Sequence, residues 1–322
     1  MWKEQKEFDC IVVGGGPAGS TFARVAAEGG LSVLLLEKDR DIGVPVRCGE
    51  AVSDAGLRIF HEPDPRWIAS TINRIRLIAP NETVVEFDLQ QKGYILDRRI
   101  FDYDLAEYAS SAGAQIVTKA YVDDVIIEND RVVGVKGTHV GERFEKRAKI
   151  VVGADGVESR VGRWAGLKTT VKLKNMECGI QKTVTGIDVD EHMFEFYLSK
   201  KWAPGGYLWV FPKGKNKANI GVAISGYYAK DGKAAQKFLD EFLAWKYPNA
   251  SVLTTVVGGI PIDKTVKQMV MDGLMLVGDA AHTVNPVTGG GIVPGMRSGL
   301  LAAETAVKAL HNGGPARKNL AA

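Results

Sequence analysis

Residues 8–19, FDCIVVGGGPAG, decide the fold. Phe8–Val13 is short and mostly apolar, which predicts a buried strand. The Ala-rich segment that follows the glycines predicts a helix that ends at Gly29 and Gly30. A second apolar run, Leu31–Leu36, predicts the next strand. Strand, glycine loop, helix and strand in this order predict the beginning of a Rossmann-like α/β domain.

The glycine loop has the spacing of a dinucleotide-binding turn. Gly14, Gly16 and Gly19 form GxGxxG between the strand and the helix. Glycines at these positions allow a tight turn and let a pyrophosphate approach backbone N–H groups at the helix N-terminus. Glu37 ends the second strand, where a carboxylate accepts hydrogen bonds from a ribose hydroxyl and disfavours a 2′-phosphate. The loop therefore predicts a dinucleotide cofactor, although a glycine loop alone is also compatible with a plain flexible turn.

Two later loops also follow predicted strands and precede predicted helices. Asp155 lies in GADG at residues 153–156, and Asp279 follows Gly278 directly after an apolar strand. The glycines of residues 286–292 then precede a long predicted helix, where backbone N–H groups suit a phosphate or a ring carbonyl that gains negative charge. Taken alone, each loop is also explained as an ordinary connection between a strand and a helix.

Composition excludes several classes of protein. The 322 residues are 45% hydrophobic and 25% charged, which is ordinary for a globular protein and excludes a disordered chain. A formal charge of +3 offers no electrostatic case for nucleic acid as a partner. The three cysteines, Cys10, Cys48 and Cys178, form no CxxC pair, so neither a disulfide framework nor a metal site is expected. No apolar run reaches the roughly 18 residues of a spanning helix, which predicts a soluble, cytoplasmic protein.

The pattern along the chain predicts two domains. Segments of α/β type occur near the start, in the middle and at the end, and strands rich in aromatic residues lie between them. We therefore expect a discontinuous nucleotide-binding domain of residues 1–66, 94–168 and 266–322, and a substrate domain of residues 67–93 and 169–265. Asp231–Trp245 predicts a helix of the second domain, and the tail from Asn312 onward is expected to be frayed.

The three loops together resemble the FAD-binding signatures of the aromatic-hydroxylase-like flavoproteins, and they occur in the expected order. They read GGGPAG, GADGVESRVGRWAG and GDAAHTVNPVTGGGI. This resemblance implies FAD as the cofactor, not NAD. It also implies an α/β fold in which an antiparallel β-sheet substrate domain is inserted into a Rossmann-like FAD-binding domain.

A narrower resemblance rests on two further motifs. VPVRCGE at residues 44–50 and GYLWVFP at residues 206–212 are similar to the PxxxCGE loop and the YxWxFP motif of the geranylgeranyl reductase family. Membership would imply an FAD-dependent oxidoreductase acting on CH–CH groups, which saturates isolated C=C bonds of prenyl chains by hydride transfer from flavin N5. The implied pathway is ether-phospholipid and isoprenoid biosynthesis. The implied partners are a prenyl-chain lipid, an electron donor that is NAD(P)H or ferredoxin, and a membrane surface contacted peripherally.

The resemblance also implies site residues. Those expected to contact FAD are Gly14, Gly16, Ala18, Gly19, Glu37, Lys38, Arg47, Cys48, Gly49, Ala51, Arg98, Val122, Asp155, Gly278, Asp279, Gly290, Gly291 and Ile292. The substrate is expected to contact Tyr207, Trp209, Phe211 and Pro212, and strand alternation places the three aromatic rings on one face. That face is equally compatible with an ordinary core. Cys48 is the candidate catalytic residue, as a proton donor or by positioning the substrate, although a small buried hydrophobe would look the same. Glu50 is assigned no role.

Two alternative functions and one departure from the family stay open at this point. An FAD monooxygenase acting on an aromatic or polyketide substrate shares the scaffold, and a halogenase WxWxIP motif partly matches residues 207–212. A flavoprotein that binds prenyl lipid without turning it over is the alternative from another class. Family members commonly run several dozen residues further with a helical segment, whereas this chain stops at Ala322, which leaves the identity of the substrate open.

Overall fold

The computed structural model describes residues 2–229 and 234–321. In chain order the strands and helices of the first half are β1 (Glu7–Val13), α1 (Pro17–Glu28), β2 (Val33–Leu36), β3 (Ala51–Ser53), α2 (Asp54–Arg58), β4 (Ile68–Ile78), β5 (Val84–Leu96), α3 (Arg98–Ser111), β6 (Gln115–Val117), β7 (Ala120–Glu128), β8 (Arg131–His139) and β9 (Glu142–Gly153). Those of the second half are α4 (Arg160–Trp164), β10 (Met176–Thr185), β11 (Met193–Tyr197), β12 (Tyr207–Pro212), β13 (Lys217–Ser225), α5 (Gly226–Ala229), α6 (Ala235–Lys246), β14 (Ser251–Pro261), β15 (Val270–Met271), β16 (Leu274–Leu276), α7 (Ile292–Asn312) and α8 (Arg317–Leu320).

The chain divides into two compact units. The first unit comprises Met1–Val44, Arg99–Thr170 and Asp263–Ala322, and the second comprises Pro45–Arg98 and Val171–Ile262. Residues 45–66, expected in the nucleotide-binding domain, lie in the second unit because β3 pairs with β5 there. Residues 94–98 group with the second unit because β5 runs unbroken to Leu96, across the expected boundary.

The first unit contains the expected Rossmann-like sheet. Its strands lie in the order β15-β16-β9-β1-β2-β6, and the run from β16 to β6 is parallel. All four residues of Val33–Leu36 are buried, as a strand covered on both faces requires. One face packs against Phe22 and Ala26 of α1 and against Ala303 of α7. This sheet brings the carboxyl ends of β1, β2 and β16 to the same edge.

Two expectations for the first unit need correction. Lys149–Val152 was expected as the strand, but β9 begins at Glu142, because its polar first half pairs antiparallel with β8. The C-terminal tail was expected to be frayed, but it is docked on the first unit up to residue 321. Leu320 of α8 is buried in the core of the first unit, and the backbone N–H of Arg317 donates to Asp272 Oδ1 at 2.6 Å. One buried leucine in a polar tail gives no periodic signal in the sequence.

The second unit is built on one large sheet, in the order β14-β10-β13-β12-β11-β4-β5-β3. Its neighbours are antiparallel except β4 and β11, which are parallel, so the sheet is mixed and not antiparallel throughout as expected. These two strands come from separate segments of the chain, so no hairpin sets their relative direction. One face of the sheet packs under Leu239 and Phe242 of α6. The expected helix Asp231–Trp245 begins in residues 231–233, which lie outside the described residues.

No helix within residues 2–229 and 234–321 is long and apolar enough to cross a membrane.

Candidate functional site

The three motif glycines of the first unit have different surroundings. A β-carbon placed on Gly14 would overlap the carbonyl oxygen of Ala154, and one on Gly19 would overlap the carbonyl oxygen of Gly14. At Gly16 no atom lies within 4 Å of that position. Gly16 is also the N-cap of α1, and no side chain caps this helix. The first and third glycines therefore allow close packing, while the second opens onto space beside helix N–H groups, as a pyrophosphate requires.

Glu37 is held at the end of β2 by two backbone amides. Its Oε2 accepts a hydrogen bond from the N–H of Gly15 at 2.8 Å, and its Oε1 accepts one from the N–H of Asp39 at 2.9 Å. A carboxylate has about four lone-pair positions, so both oxygens keep capacity for a ribose hydroxyl. Lys38, by contrast, forms an ion pair with Asp39 at the surface. The structure thus fits the expected role of Glu37, and among the described residues Lys38 forms no side-chain hydrogen bond or ion pair with the glycine loop.

The loop around Asp279 meets the start of α7. Asp279 Oδ1 lies 3.1 Å from the position that a β-carbon of Gly291 would take, so only glycine leaves this contact free. Gly291 is the N-cap of α7 and Ile292 its first residue, and no side chain caps the helix. The N–H of Gly290 donates to Thr288 Oγ1 at 3.2 Å. Asp279, Gly291 and Ile292 therefore come together at a helix N-terminus that can receive an acceptor.

Asp155 is a half-buried residue whose carboxylate has one buried, unsatisfied oxygen. Its Oδ2 accepts a hydrogen bond from the N–H of Val161 at 3.0 Å, while its Oδ1 is buried without a hydrogen-bond partner among the described residues. Burial raises the pKa of this carboxyl group. Buried polar atoms in native proteins normally have partners, so the free oxygen fits a site where a ligand donor completes the shell. The loop is tied to the Asp279 loop by Ser159, whose Oγ donates to the carbonyl of Ala280 at 2.8 Å.

The other first-unit residues in the expected FAD set support this site less directly. Val122 lies in β7 opposite Gly137, with its side chain buried in the core. Ala18 packs its β-carbon 2.9 Å from the β-carbon position of Gly278, which has a left-handed φ of 63°. The expected FAD contacts Arg47, Cys48, Gly49, Ala51 and Arg98 lie in the second unit, so the expected set is divided between the units.

An aromatic strip covers one face of the second unit's sheet, as the alternation in β12 predicted. The ring centroids of Tyr207 and Trp209 are 5.8 Å apart, and those of Trp209 and Phe211 are 6.1 Å apart. The strip continues on β11 through Phe194, 4.9 Å from Phe211, and Phe196, 5.5 Å from Tyr207. We define the aromatic strip as these five residues. Phe194 and Phe196 were missed, although MFEFY at residues 193–197 carries the same alternation.

Buried residues at the end of β12 and beside the strip shield the strip from water. Pro212 is buried and pairs with Ala218 across the β12–β13 turn. Burial raises the pKa of Tyr207, with further contributions from Glu177 and Cys48. Glu177 is itself buried, its carboxylate forms no hydrogen bond or ion pair with any described residue, and burial raises its pKa. The face therefore disfavours negative charge.

The loop that contains Cys48 lies directly on the aromatic strip. The position of a β-carbon on Gly49 is 3.0 Å from Phe211 Cε2 and 3.7 Å from Trp209 Nε1, so a larger residue would be crowded. Cys48 Sγ accepts a hydrogen bond from the N–H of Glu50 at 3.2 Å. Burial raises the pKa of the Cys48 thiol, and the opposing effect of Arg98 is smaller. At neutral pH the group beside the strip is therefore a protonated thiol, not a thiolate nucleophile.

Gln181 joins this loop to the strip, and no sequence signal marked it. Its side-chain Nε2 donates to the carbonyl oxygen of Cys48 at 2.9 Å, and its Oε1 accepts a hydrogen bond from Trp209 Nε1 at 3.0 Å. The side chain is buried. A single glutamine in a strand has no motif around it, so only the pairing of β10 with β13 and of β13 with β12 brings Gln181 to Trp209.

Glu50 anchors the other end of the loop. Its carboxylate is buried and accepts hydrogen bonds from Lys213 Nζ at 2.7 Å, from the backbone N–H of Arg98 at 3.0 Å, and from Asn219 Nδ2. Glu50 also has a left-handed φ of 70°, which is uncommon for a residue other than glycine. These partners satisfy a carboxylate that burial would otherwise make very costly.

The two remaining expected residues of this loop lie at its margins. Arg47 is exposed, with its β-carbon 3.8 Å from the β-carbon position of Gly258 in β14. Ala51 belongs to β3, opposite Ile95 of β5. Within residues 2–229 and 234–321 no cluster of three or more His, Cys, Asp or Glu side chains could hold a metal ion.

Comparison with protein families gives two matches. Residues 175–260 match the geranylgeranyl reductase catalytic domain, which covers β10 to β14 and includes the strip residues Tyr207, Trp209 and Phe211. Residues 12–74 match the NAD(P)-binding Rossmann-like domain, which includes the glycine loop. The chain is 46% identical over 320 residues to the digeranylgeranylglycerophospholipid reductase of Methanocella arvoryzae, a match that covers 98% of this chain and 81% of that protein. It is 45% identical over 313 residues to the enzyme of that name from Methanosarcina acetivorans, covering 95% and 76%.

Solved structures confirm the fold. A geranylgeranyl bacteriochlorophyll reductase-like protein from Thermoplasma acidophilum superposes with a TM-score of 0.94 and 37% identity, covering 98% of this chain and 82% of the other. The flavin-dependent brominase Bmp2 superposes with a TM-score of 0.78 at 20% identity, covering 96% and 80%, and shows that the fold alone is shared. The two digeranylgeranylglycerophospholipid reductases are 45–46% identical to this chain, against 20% for the brominase, at similar coverage. The chain therefore belongs to the family of the digeranylgeranylglycerophospholipid reductases.

Proposed function

We propose that this protein is an FAD-dependent reductase that saturates isolated C=C bonds of geranylgeranyl-type prenyl chains in ether-phospholipid synthesis. The names of its relatives supply the substrate class. The observation that carries the proposal is the Cys48–Gly49 segment lying on the aromatic strip. This arrangement combines a large apolar surface for a prenyl chain with one protonated thiol beside it.

In the first unit, we propose that FAD is held by the glycine loop, Glu37 and the start of α7. The open space at Gly16 and the uncapped N-termini of α1 and α7 support this assignment, as does the unsatisfied Oδ1 of Asp155. When bound and reduced, FAD would supply a hydride equivalent for one alkene carbon. Of the expected contacts, Lys38 has the weakest support because it is paired with Asp39.

In the second unit, the aromatic strip acts on the alkene. An isolated trisubstituted alkene has no carbonyl to accept negative charge, so positive charge develops on its more substituted carbon as the other carbon gains a proton, and the positive carbon is the one that would take the hydride equivalent. The ring faces of Tyr207 and Trp209 stabilise such a charge through their quadrupoles, most strongly where water is excluded. The strip also holds the prenyl chain in one orientation, which lowers the entropic cost of reaching the transition state.

Cys48 is the proposed proton donor for the second alkene carbon. Its Sγ keeps its proton at neutral pH because burial raises the thiol pKa. The N–H of Glu50 donates a hydrogen bond to Cys48 Sγ, and Gln181 donates one to the backbone carbonyl of Cys48, so the thiol is fixed in place. Fixed geometry is what a general acid needs before its pKa matters.

The electron donor is either NAD(P)H or a ferredoxin. Neither assignment rests on a described second nucleotide site, so both remain in the proposal as alternatives. Stopped-flow reduction of the flavin by NADH, NADPH and reduced ferredoxin in turn distinguishes them. The donor is the one that reduces the flavin fast enough to sustain turnover.

An anaerobic single-turnover experiment tests the reaction. Protein loaded with FAD is reduced with dithionite and mixed with a geranylgeranyl phospholipid, and flavin absorbance and product mass are followed. The proposal predicts flavin reoxidation with a gain of one H₂ per double bond. Reoxidation only after oxygen is admitted would indicate a monooxygenase. Lipid binding without any reoxidation would indicate a carrier.

A further inference from the structure

One end of the second unit's sheet collects several chain segments. β10 and β12 begin there, at Met176 and Tyr207, and β11 and β13 finish there, at Tyr197 and Ser225. The pairing Glu177↔Ser225 joins β10 to β13, and Tyr197↔Leu208 joins β11 to β12. Because neighbouring strands run in opposite directions, the first residues of one lie beside the last residues of the next. The loops that leave these strands therefore meet at the same end.

Further contacts connect those loops. A β-carbon on Gly226, just after β13, would overlap the carbonyl oxygen of Leu173, which precedes β10. The N–H of Ser225 donates to the carbonyl of Pro204 at 3.2 Å, in the loop before β12. The N–H of Leu198, after β11, donates to the carbonyl of Ile78 at 2.9 Å, and Ile78 pairs with Val84 of β5.

Large apolar side chains are exposed on the loops and at the start of β5 at this end, and Trp245 of α6 joins them by stacking on Trp202 in the loop between β11 and β12. The exposed fractions are 69% for Leu173, 41% for Leu198, 59% for Trp245 and 52% for Val84. Trp245 stacks on Trp202 with ring centroids 5.2 Å apart. Single exposed apolar residues are normal, but a group of them at one end of a sheet indicates an interaction surface.

Lysines alternate with these apolar residues. Lys172 and Lys174 flank Leu173, and Lys200 and Lys201 follow Leu198 closely. All four are exposed, and within residues 2–229 and 234–321 none of them forms an ion pair. Lys201 Nζ lies 4.6 Å from the ring centroid of Trp202 and 5.7 Å from that of Trp245.

The charge at this end is mainly positive. Glu177 is buried there, and Glu82, in the turn before β5, is exposed. Lysine ammonium groups beside an exposed tryptophan are typical of side chains placed at a lipid headgroup boundary, where the apolar part is buried and the charge stays wet.

We propose that this lysine–apolar edge docks on the surface of a bilayer that contains anionic headgroups. The edge consists of Val84, Leu173, Leu198 and Trp245 with Lys172, Lys174, Lys200 and Lys201. Anionic lipids complement the exposed lysines, and the apolar side chains enter the boundary region. Tyr207, the first residue of β12, begins the aromatic strip at this same end. That a prenyl chain enters the strip here rests on the proposed function, whereas the docking does not.

Vesicle sedimentation tests the docking without turnover. The protein is mixed with vesicles of phosphatidylcholine alone or with phosphatidylglycerol added, at low and high salt. The edge variant is Lys172→Glu/Leu173→Ser/Lys174→Glu, and Trp245→Ser is a second variant on another segment. The control is Lys215→Glu/Val140→Ser, which changes an exposed lysine at the opposite end of β12 and β13 and an exposed valine of the first unit.

We expect the parent and the control to bind phosphatidylglycerol vesicles in a salt-sensitive way, and the edge variant to bind at least about tenfold more weakly. Trp245→Ser should lose binding to a smaller extent. Parent protein that binds no vesicles, or an edge variant that binds as well as the control, would overturn the proposal. Edge variants that bind vesicles normally but accept electrons more slowly would assign the edge to a protein donor instead.

A turnover assay separates this proposal from the proposed function. Lipid in vesicles and lipid dispersed in detergent are offered to the same variants. The edge variant should lose reduction of the vesicle lipid while keeping reduction of the dispersed lipid. If the parent reduces neither, the proposed function fails, and vesicle binding still decides the docking.

Discussion

The glycine loop of the first unit and the Cys48 loop of the second are held in different ways. Gly14–Gly19 is shaped by its own glycines and by amides next to it in the sequence or on the adjacent strand, such as the bond from Gly15 to Glu37. The Cys48 loop is held by side chains from strands far along the chain. Gln181 is 133 residues from Cys48, and Lys213 is 163 residues from Glu50. A loop that is shaped by neighbouring residues can be recognised in a sequence. A loop that is held by side chains from distant strands can be predicted only when the strand pairing is known.

Removing the carboxylate of Glu50 should have the largest effect. Glu50→Ala leaves Lys213 buried without its partner, and breaking one side of a buried ion pair typically costs about 3–5 kcal/mol. Urea unfolding measures the loss of stability. The double variant Glu50→Gln/Lys213→Met, which removes both charges, should lose less than the sum of the single changes. Additive losses would show that the two side chains do not act as a pair.

Substituting the packed glycine of the local loop should be nearly as damaging. A β-carbon at Gly19 overlaps the carbonyl of Gly14, so Gly19→Ala should cost about 3 kcal/mol and impair FAD binding. Gly16→Ala is the matched control, because its β-carbon meets open space and φ is −75°. This variant should keep its stability and lose FAD affinity. Thermal unfolding of the flavin-free protein and FAD titration measure the two effects separately, and equal stability of both variants would contradict the packing argument.

Variants of Gln181 test its two hydrogen bonds separately, the one to the Cys48 carbonyl and the one from Trp209 Nε1. Gln181→Leu removes both and leaves the Cys48 carbonyl and the Trp209 N–H unsatisfied, which should cost about 1–3 kcal/mol. Gln181→Glu still accepts from Trp209 but cannot donate to Cys48 when it is ionised. Both variants should expose the Cys48 thiol to maleimide faster than the parent, as measured by mass spectrometry of the labelled peptide. An unchanged labelling rate would mean that Gln181 does not position the loop.

Glu177 should give the smallest effect, because its buried carboxylate forms no hydrogen bond or ion pair with any residue that the structure describes. Its folded pKa is raised above the unfolded value, so its contribution to stability is complete below the unfolded pKa and is lost as pH rises through the folded pKa. The Glu177→Gln variant cannot ionise at this position. At pH values above the folded pKa of Glu177 it should therefore be more stable than the parent by about 0.5–1 kcal/mol. The check is unfolding free energy measured across pH. A variant less stable than the parent at high pH would show that ionised Glu177 has a partner.

Much of the first unit was predictable from local residues. The βαβ order around Gly14–Gly19 and the long helix after the glycines of residues 286–292 both appear in the structure. Each depends on residue type and spacing within a short segment. The antiparallel first half of β9 and the docked α8 were missed, because their stability comes from partners elsewhere in the fold.

Within the second unit, the sequence by itself determined that Tyr207, Trp209 and Phe211 share a face, because side chains alternate along any strand. It also determined the glycine positions of the dinucleotide loop in the first unit, because only glycine tolerates the close contacts at Gly14 and Gly19 and leaves room for a pyrophosphate at Gly16. The tertiary structure alone decided that Gln181, Lys213 and Asn219 surround the Cys48 loop. Their positions follow from the pairing of β10, β13 and β12, and strand register is set by the packing of a whole sheet face, not by the residues of one strand.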